Sequence, residues 1–282
     1  MKFSIITPTY NRAYTITNTI RSVLNQSYSD WELLIVDDGS TDDTESTIAT
    51  AKDSRIHYFF QDNAGPSSAR NLALEKAVGD WVVYIDSDNE LLSNYLDVLR
   101  IHIENEPQTK FAITKGVRTL ELYHNNKLVD IIDDSQNYPE KVSLKDVYLR
   151  NVKFDINGFA HSREITQQGY SWDNDNYLME DWDFFLQFAD KYRDSFLYIN
   201  IPLFHYHQKF GTDGLVSNAT YQDWAHAFET IYQKHKDSPL MKNQTWYPQR
   251  VDKYSKLALE VKNGQAKPEY LKYFPNFQPK KF

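Results

Sequence analysis

Cysteine is absent from this chain of 282 residues, and glycine is scarce, at nine residues in all. Without cysteine the chain has no disulfide, no thiolate zinc site and no cysteine nucleophile. The glycines form neither G-x-G-x-x-G nor G-x-x-x-x-G-K followed by Ser or Thr, the two loops that hold phosphates with backbone amides. These absences argue against a dehydrogenase and against a P-loop enzyme.

Positive charge is also in short supply, because 39 acidic residues face 31 lysines and arginines and leave a formal net charge of -8. No long basic run is present, so no nucleic-acid partner is expected. No run of about 18 apolar residues occurs, and the apolar start is too short for a signal peptide. We therefore expect no membrane-spanning helix and a cytoplasmic location.

Apolar residues make up 41% of the chain, which is enough for a substantial core. In the first 110 residues, apolar runs alternate with helical patterns, and the predicted strands are 3–7, 31–38, 56–61 and 81–86. Continuous apolar strands separated by helices predict a parallel sheet that is covered on both faces. The expected fold class is α/β, with a mostly parallel, Rossmann-like sheet flanked by helices.

Beyond residue 110 the pattern changes. Two longer strands are predicted to turn at Asn125-Asn126, and another strand covers 196–207. Helices are predicted at 143–151, 179–192, 220–236 and 249–262. These patterns predict one domain over 1–215 and a small helical C-terminal extension over 216–282.

Two pairs of aspartates follow predicted strands. Asp37 and Asp38 end the second strand, and Asp86 and Asp88 follow the fourth. In the common strand order 3-2-1-4 these strand ends are neighbours, so we expect the four carboxylates to converge. Each pair alone is explained most simply as a turn, but together they would repel one another and call for a cation. Oxygen ligands favour magnesium or manganese, which bind through carboxylates and substrate phosphates.

Four blocks carry a family resemblance: SIITPTYNR, LLIVDDGSTDDT, NAGPSSARNLALEKAVGDWVVYIDSDN and EDWDFFLQFA. In this order they resemble the family 2 glycosyltransferases, which have the GT-A fold, over roughly residues 3 to 210. The resemblance implies an inverting hexosyl- or N-acetylhexosaminyltransferase that uses a UDP-sugar donor and Mn²⁺ or Mg²⁺. It also implies a nucleotide-sugar part over 1–110 and an acceptor part over 111–215.

The resemblance assigns roles by position. The residues expected to bind the nucleotide sugar are Thr7, Pro8, Tyr10, Asn11, Asp38, Arg70, Asp86 and Ser87. The expected metal ligands are Asp88, Asp86 and His207, and the expected acceptor contacts are Glu180, Trp182 and His161. Asp181 is expected to be the general base.

A sugar hydroxyl is a poor nucleophile until a carboxylate accepts its proton, which gives Asp181 its role. The positive end of a helix favours an ionised carboxylate there, although acidic residues also cap helices without any catalytic role. Trp182 fits the core stripe of this helix as well as it fits a platform that stacks on a sugar. His205 and His207 lie on the same side of their strand by alternation, and His207 is interpreted as a ligand of metal or phosphate.

The leading hypothesis is a non-processive glycosyltransferase that acts on a glycan, lipid-linked or protein acceptor in bacterial surface glycan biosynthesis. A catalytically silent nucleotide-sugar or carbohydrate-binding module is the alternative. The tail 267–282 is basic and aromatic, which suggests peripheral contact with the inner face of the cell membrane or docking to a partner. The simpler alternative is that the tail packs on its own domain.

Overall fold

The computed structural model describes residues 1–124, 127–134, 139–152, 155–176, 178–210, 219–242 and 245–263. Its strands are β1 Phe3–Thr9, β2 Trp31–Asp37, β3 Ile56–Phe60, β4 Trp81–Tyr84, β5 Glu90–Leu91, β6 Phe111–His124, β7 Lys127–Asp133, β8 Phe159–Ser162 and β9 Phe196–Phe210. Its α-helices are α1 Ile16–Leu24, α2 Thr44–Ile48, α3 Pro66–Lys76, α4 Tyr95–Asn105, α5 Leu144–Tyr148, α6 Arg163–Gln167, α7 Glu180–Ala189, α8 Tyr221–His235 and α9 Trp246–Lys262. The predicted turn at Asn125-Asn126 and the tail 267–282 lie outside the described residues.

The sheet runs in the order β3-β2-β1-β4-β8-β6-β9-β5, and β7 pairs with β6. β1 pairs in parallel with β2 and β4, and β2 pairs in parallel with β3, so the predicted order 3-2-1-4 is confirmed. β8 pairs antiparallel with β4 and β6, and β5 pairs antiparallel with β9. The α/β class is confirmed, and the sheet is mixed because strands from the second part of the chain extend the parallel first part.

Every residue of β1, β2 and β4 is buried, which explains why these strands are continuous apolar runs and do not alternate. Helix α1 contributes the buried side chains of Ile16, Ile20 and Val23 to the same core cluster as Phe3 and Ile5. The polar residues that follow these strands are therefore carried on a rigid edge.

The chain divides into two compact units. The first contains residues Met1–Thr119 and Asp134–His207, and the second contains Leu120–Asp133 and Gln208–Phe282. In the second unit, α8 and α9 pack through aromatic rings, with the Phe228 ring centroid 5.4 Å from that of Tyr254. Among the described helices, none is both long and apolar enough to cross a bilayer. The sequence-based domain division, with its boundary at residue 215, stays a prediction.

Candidate active site

The first aspartate pair organises its own loops. Asp38 is 4% exposed, and its carboxylate accepts hydrogen bonds from the amides of Ala64 and Gly65 (2.8 Å each) and from the side chain of Gln61 (2.7 Å). Asp37 is 1% exposed and accepts from a backbone amide at 2.8 Å and a tyrosine hydroxyl at 3.0 Å. Both side chains therefore hold the chain that follows β2 and β3. Whether Asp38 also contacts a uracil stays a prediction.

The residues expected at the nucleotide base differ in exposure. Thr7 and Pro8 are buried inside β1, whereas Tyr10 is 44% exposed at its end. Asn11 has a left-handed φ of 52°, and its amide donates to the Ser40 hydroxyl at 2.8 Å. The chain after β1 is thus fixed to the chain after β2, and Tyr10 offers the exposed ring of this block.

The second aspartate pair lies on a turn whose residues alternate in burial. Ser87 and Asn89 are buried, at 6% and 1% exposure, while Asp86 and Asp88 are partly exposed. The Asn157 side chain accepts a hydrogen bond from the Asp86 amide at 2.8 Å. The turn is therefore held by its buried members, and both carboxylates stay accessible on one short segment.

Arg70 connects this turn to the predicted catalytic helix. It is 3% exposed; one guanidinium nitrogen donates to Asp86 at 3.0 Å and the other donates to Glu180 at 2.9 Å. Its guanidinium also lies over the ring of Trp172, 4.7 Å from the centroid. Sequence reasoning predicted a nucleotide contact for Arg70, whereas the structure surrounds it with two carboxylates and an aromatic ring.

Asp181 lies in the first turn of α7 and is partly buried among charges of both signs. Burial, followed by the neighbouring Glu180 carboxylate, raises the pKa of Asp181 to about 7. Arg150 lowers this pKa, and Asp155 adds to the increase. Arg150 lies 5.0 Å from the ring centroid of Trp182. A carboxylate with a pKa near neutrality can accept a proton and release it again at physiological pH.

Three residues of this environment were missed from the sequence: Arg150, Asp155 and Asn157. Asp155 accepts from the Asn157 amide at 3.0 Å, and Asn157 in turn holds the Asp86 amide. Burial, followed by the Asp86 carboxylate, raises the pKa of Asp155 to about 7. An aspartate two residues before an asparagine resembles an ordinary turn, so the local pattern gave no signal for these residues.

His161 and Trp182 were expected to contact the acceptor; both are buried, which argues against that contact, and the role stays a prediction. His161 is fully buried on β8, with Nε2 2.8 Å from the Tyr84 hydroxyl, and burial lowers its pKa to about 4. Its ring packs among Tyr84, Phe159 and Phe184. Trp182 is 2% exposed, which leaves no ring face for a sugar. Both side chains therefore lie in the interior of the protein.

His205 and His207 have ring centroids 4.2 Å apart, so the prediction that they share one side of β9 is confirmed. The His207 amide donates to the Asn89 side chain at 2.8 Å, and its Nε2 lies 3.7 Å from the Glu90 carboxylate. This contact places His207 beside the turn that carries Asp86 and Asp88. Its role as a metal or phosphate ligand stays a prediction.

A divalent cation such as magnesium needs oxygen ligands that lie close together. Within the described parts of the chain, no group of three or more His, Asp or Glu side chains is close enough to hold a metal. The four aspartates therefore do not form one group of ligands, since the Asp37 and Asp38 carboxylates accept hydrogen bonds from their own loops. Asp86 and Asp88 still fit the pair of carboxylates through which magnesium binds when phosphates supply further ligands.

Known proteins are similar to this chain in sequence and in fold. The profile of Glycosyl transferase family 2 matches residues 4–169. A glucosyltransferase of Escherichia coli, WfgD, named as UDP-Glc:alpha-D-GlcNAc-diphosphoundecaprenol beta-1,3-glucosyltransferase, is 36% identical over 128 residues, or 45% of this chain and 48% of WfgD. An uncharacterised glycosyltransferase of Rickettsia conorii is 41% identical over 114 residues, 40% of this chain and 18% of its own length.

The fold is similar to that of TarS 1-349 from S. aureus in complex with UDP-GlcNAc, with a TM-score of 0.68 and 19% identity over 93% of this chain and 73% of that one. The matches span less than half the length of both sequence relatives. The family profile nevertheless covers more than half of the present sequence, including the turn with Asp86 and Asp88. The chain belongs to glycosyl transferase family 2.

Proposed function

We propose that this protein transfers a sugar, with inversion, from a UDP-sugar to an acceptor hydroxyl. The observation that carries the proposal is the partly buried Asp181 at the start of α7, joined by the Glu180–Arg70–Asp86 bridge to the turn after β4. The acceptor oxygen forms a bond to the anomeric carbon while the bond to the diphosphate oxygen breaks. The hydroxyl proton passes to Asp181, and UDP leaves.

Asp88 and Asp86 would hold a divalent cation, with His207 beside them. When bound, such a cation neutralises the negative charge that develops on the departing diphosphate. Tyr10 and Asn11 would border the nucleotide base. The name of WfgD, which includes UDP-glucose, supports a UDP-hexose donor.

The base role fits the local charges. A general base works best with a pKa near the operating pH, and the pKa of Asp181 is raised into that range. Direct inversion needs one carboxylate to accept a proton, whereas hydrolysis of glycosides calls for a pair that flanks the bond. The neighbouring Glu180 carboxylate is paired with Arg70, which leaves Asp181 as the proposed base, and we propose transfer and not hydrolysis as the primary reaction.

For the acceptor, we propose a lipid-linked glycan in bacterial surface glycan biosynthesis. The name of WfgD includes a diphosphoundecaprenol acceptor, which supports this class. The protein would then work at the cytoplasmic face of the membrane in peripheral contact with it. Liposome co-sedimentation of the full chain and of a chain without residues 267–282 tests whether the tail contributes. Equal binding of the two chains would remove the tail from this proposal.

A panel of UDP-sugars with manganese, assayed for UDP release with and without polyprenyl-linked glycans, tests the reaction. We expect Asp181→Asn to bind UDP as the unmodified chain does and to lose transfer by about 10³-fold, the range of general-base catalysis. Asp190→Asn, at the C-terminal end of the same helix, is the matched control and should retain activity. Full transfer by Asp181→Asn would rule out this base.

A silent module that binds nucleotide sugars is the alternative function. The exposed Tyr10 and the accessible turn would serve binding alone equally well. Manganese-dependent UDP binding without turnover, for every donor and acceptor of the panel, would favour this alternative.

A further inference from the structure

Arg70 is a buried cation of the candidate site. Its two terminal nitrogens each donate to a different carboxylate, that of Asp86 at 3.0 Å and that of Glu180 at 2.9 Å. The two acids are far apart in sequence and belong to different parts of the proposed reaction, because Asp86 lies on the donor turn and Glu180 precedes the proposed base. A single buried guanidinium therefore joins the two halves of the site.

The next residue of α3 strengthens this link. The Asn71 side chain accepts from the amide of Trp172 and donates to its carbonyl, both at 2.9 Å. This pair of bonds fixes the backbone of residue 172, whose ring lies 4.7 Å from the Arg70 guanidinium. Arg70 is thus fixed from three directions, and its 3% exposure leaves little surface for a ligand.

We infer that Arg70 is a positioning residue, which holds Glu180 and the start of α7 in register with the Asp86 turn and does not itself bind the nucleotide. The inference rests on the proposed function, because it assumes that Asp181 accepts the proton. Arginine suits this role since its planar fork holds two carboxylates at once, which the single ammonium of lysine cannot do in the same geometry.

The charges around Asp181 make the role measurable. Glu180 and Asp155 raise the pKa of Asp181, and Arg150 lowers it. Arg70 neutralises Glu180 through a contact of 2.9 Å. Removing Arg70 leaves the Glu180 charge uncompensated beside the base, so the pH at which the base becomes active should rise. Removing the Glu180 charge should have the opposite effect.

The test compares Arg70→Met, Arg70→Lys, Glu180→Gln and Arg70→Met combined with Glu180→Gln in the full chain. The rate of UDP release from UDP-glucose with manganese is measured between pH 5 and 9, and UDP affinity is measured by calorimetry. We expect Arg70→Met to lose roughly 100-fold in kcat, the cost of a misplaced reacting group. The midpoint of the rise of its rate with pH should lie about one pH unit above that of the unmodified chain.

Glu180→Gln should shift the rising limb of the pH–rate profile to lower pH. The double variant should return this limb toward its position in the unmodified chain. Arg70→Lys keeps the charge and loses the fork, so its limb should stay in place while kcat falls about tenfold. The UDP affinity of all four variants should stay within about threefold of that of the unmodified chain. An unchanged affinity with a lower kcat identifies a residue that serves the reaction step and not the binding of the donor.

Arg55→Lys is the matched control, because Arg55 also bridges to a carboxylate (Asp53, 2.8 Å) and lies over a tryptophan ring (Trp31, 3.7 Å). Arg55 precedes β3 and so lies at the N-terminal ends of the parallel strands, whereas the candidate site lies at their C-terminal ends. Its variant should keep both kcat and the pH profile. UDP affinity that falls as much as kcat in Arg70→Lys, or a pH limb that no variant moves, would overturn the inference. If Asp181→Asn loses transfer while Arg70→Lys keeps its kcat, only the inference about Arg70 is overturned. If Asp181→Asn stays active, the proposed function is overturned.

Discussion

The two aspartate pairs, after β2 and after β4, have similar sequences and different surroundings. Asp37 and Asp38 are buried and accept hydrogen bonds from their own loops. Asp86 and Asp88 are partly exposed on a turn that Asn157 holds from beneath. Asp37 and Asp38 therefore stabilise the loops at this edge of the sheet. Asp86 and Asp88 lie at the same edge and stay accessible to solvent. A short acidic motif therefore does not reveal by itself which of these two tasks it performs.

The largest expected difference between the pairs lies in ligand binding. Asp88→Ala should lower the affinity for UDP in the presence of manganese by about 100-fold. Residues that only hydrogen-bond to a metal ligand already change metal affinity by up to about 100-fold when they are replaced. Its free energy of unfolding should change by less than about 0.5 kcal/mol, because a partly exposed carboxylate contributes little to folding. Calorimetric titration and urea denaturation measure the two quantities. A large loss of stability with intact binding would reverse the comparison.

Asp38→Ala should show the opposite behaviour. The substitution leaves two backbone amides and the Gln61 side chain without their acceptor in a buried place, which costs about 3 kcal/mol of unfolding free energy. Urea denaturation measures this loss. Asp38→Asn keeps one acceptor oxygen and should lose about half as much. Equal stability of Asp38→Ala and the unmodified chain would contradict the structural role of this carboxylate.

Asp37→Asn should have a smaller effect, about 1 kcal/mol, because the amide oxygen can still accept from the Ser40 amide. The hydrogen bond from the Tyr58 hydroxyl is lost, since the oxygen that accepts it is replaced by an amide nitrogen, which donates and does not accept. Comparison with Tyr58→Phe and with the double variant isolates this contact by a double-mutant cycle. A coupling free energy near zero would show that the tyrosine does not depend on Asp37.

Asp181 should affect stability with the opposite sign to that of Asp38. Its pKa is raised by burial and by Glu180 to about 7, above the ordinary value of 3.8. Between pH 4 and 7 the folded state binds the proton more tightly than the unfolded chain, so this contribution to stability is lost as pH rises through that window. Asp181→Asn should therefore be more stable than the unmodified chain by up to about 4 kcal/mol at pH 8, and equally stable at pH 4. Melting curves without nucleotide or metal would contradict this if the difference did not grow with pH.

The parallel part of the sheet could be predicted because its signals are local. Continuous apolar runs such as the one in β2 are required when both faces are covered, and the helices between them require parallel connections. The same holds for α7, whose apolar stripe was visible in the sequence. Of the antiparallel strands, β6, β7 and β9 were predicted and the short β5 and β8 were not; the places of β8, β6 and β9 between β4 and β5 depend on pairings between distant segments.

The candidate site was predictable only in part, and the histidines show why. His161 and His207 both lie on strands, yet one is fully buried beside Tyr84 and the other contacts the Asp86 turn through Asn89. Alternation gives the side of a strand and not what covers that side. Asp155 was missed for a related reason, since its influence on Asp181 acts through space from a segment with no motif.

The sequence by itself determined the order of the elements, the family and the chemical types present, since apolar periodicity and motif order are properties of neighbouring residues. It also excluded thiol chemistry, because the chain has no cysteine. Only the tertiary structure decided which carboxylates share an environment and which cation joins them. Arg70 lies 16 residues from Asp86 and 110 from Glu180 along the chain, and its two ion pairs form because electrostatic energy depends on separation in space.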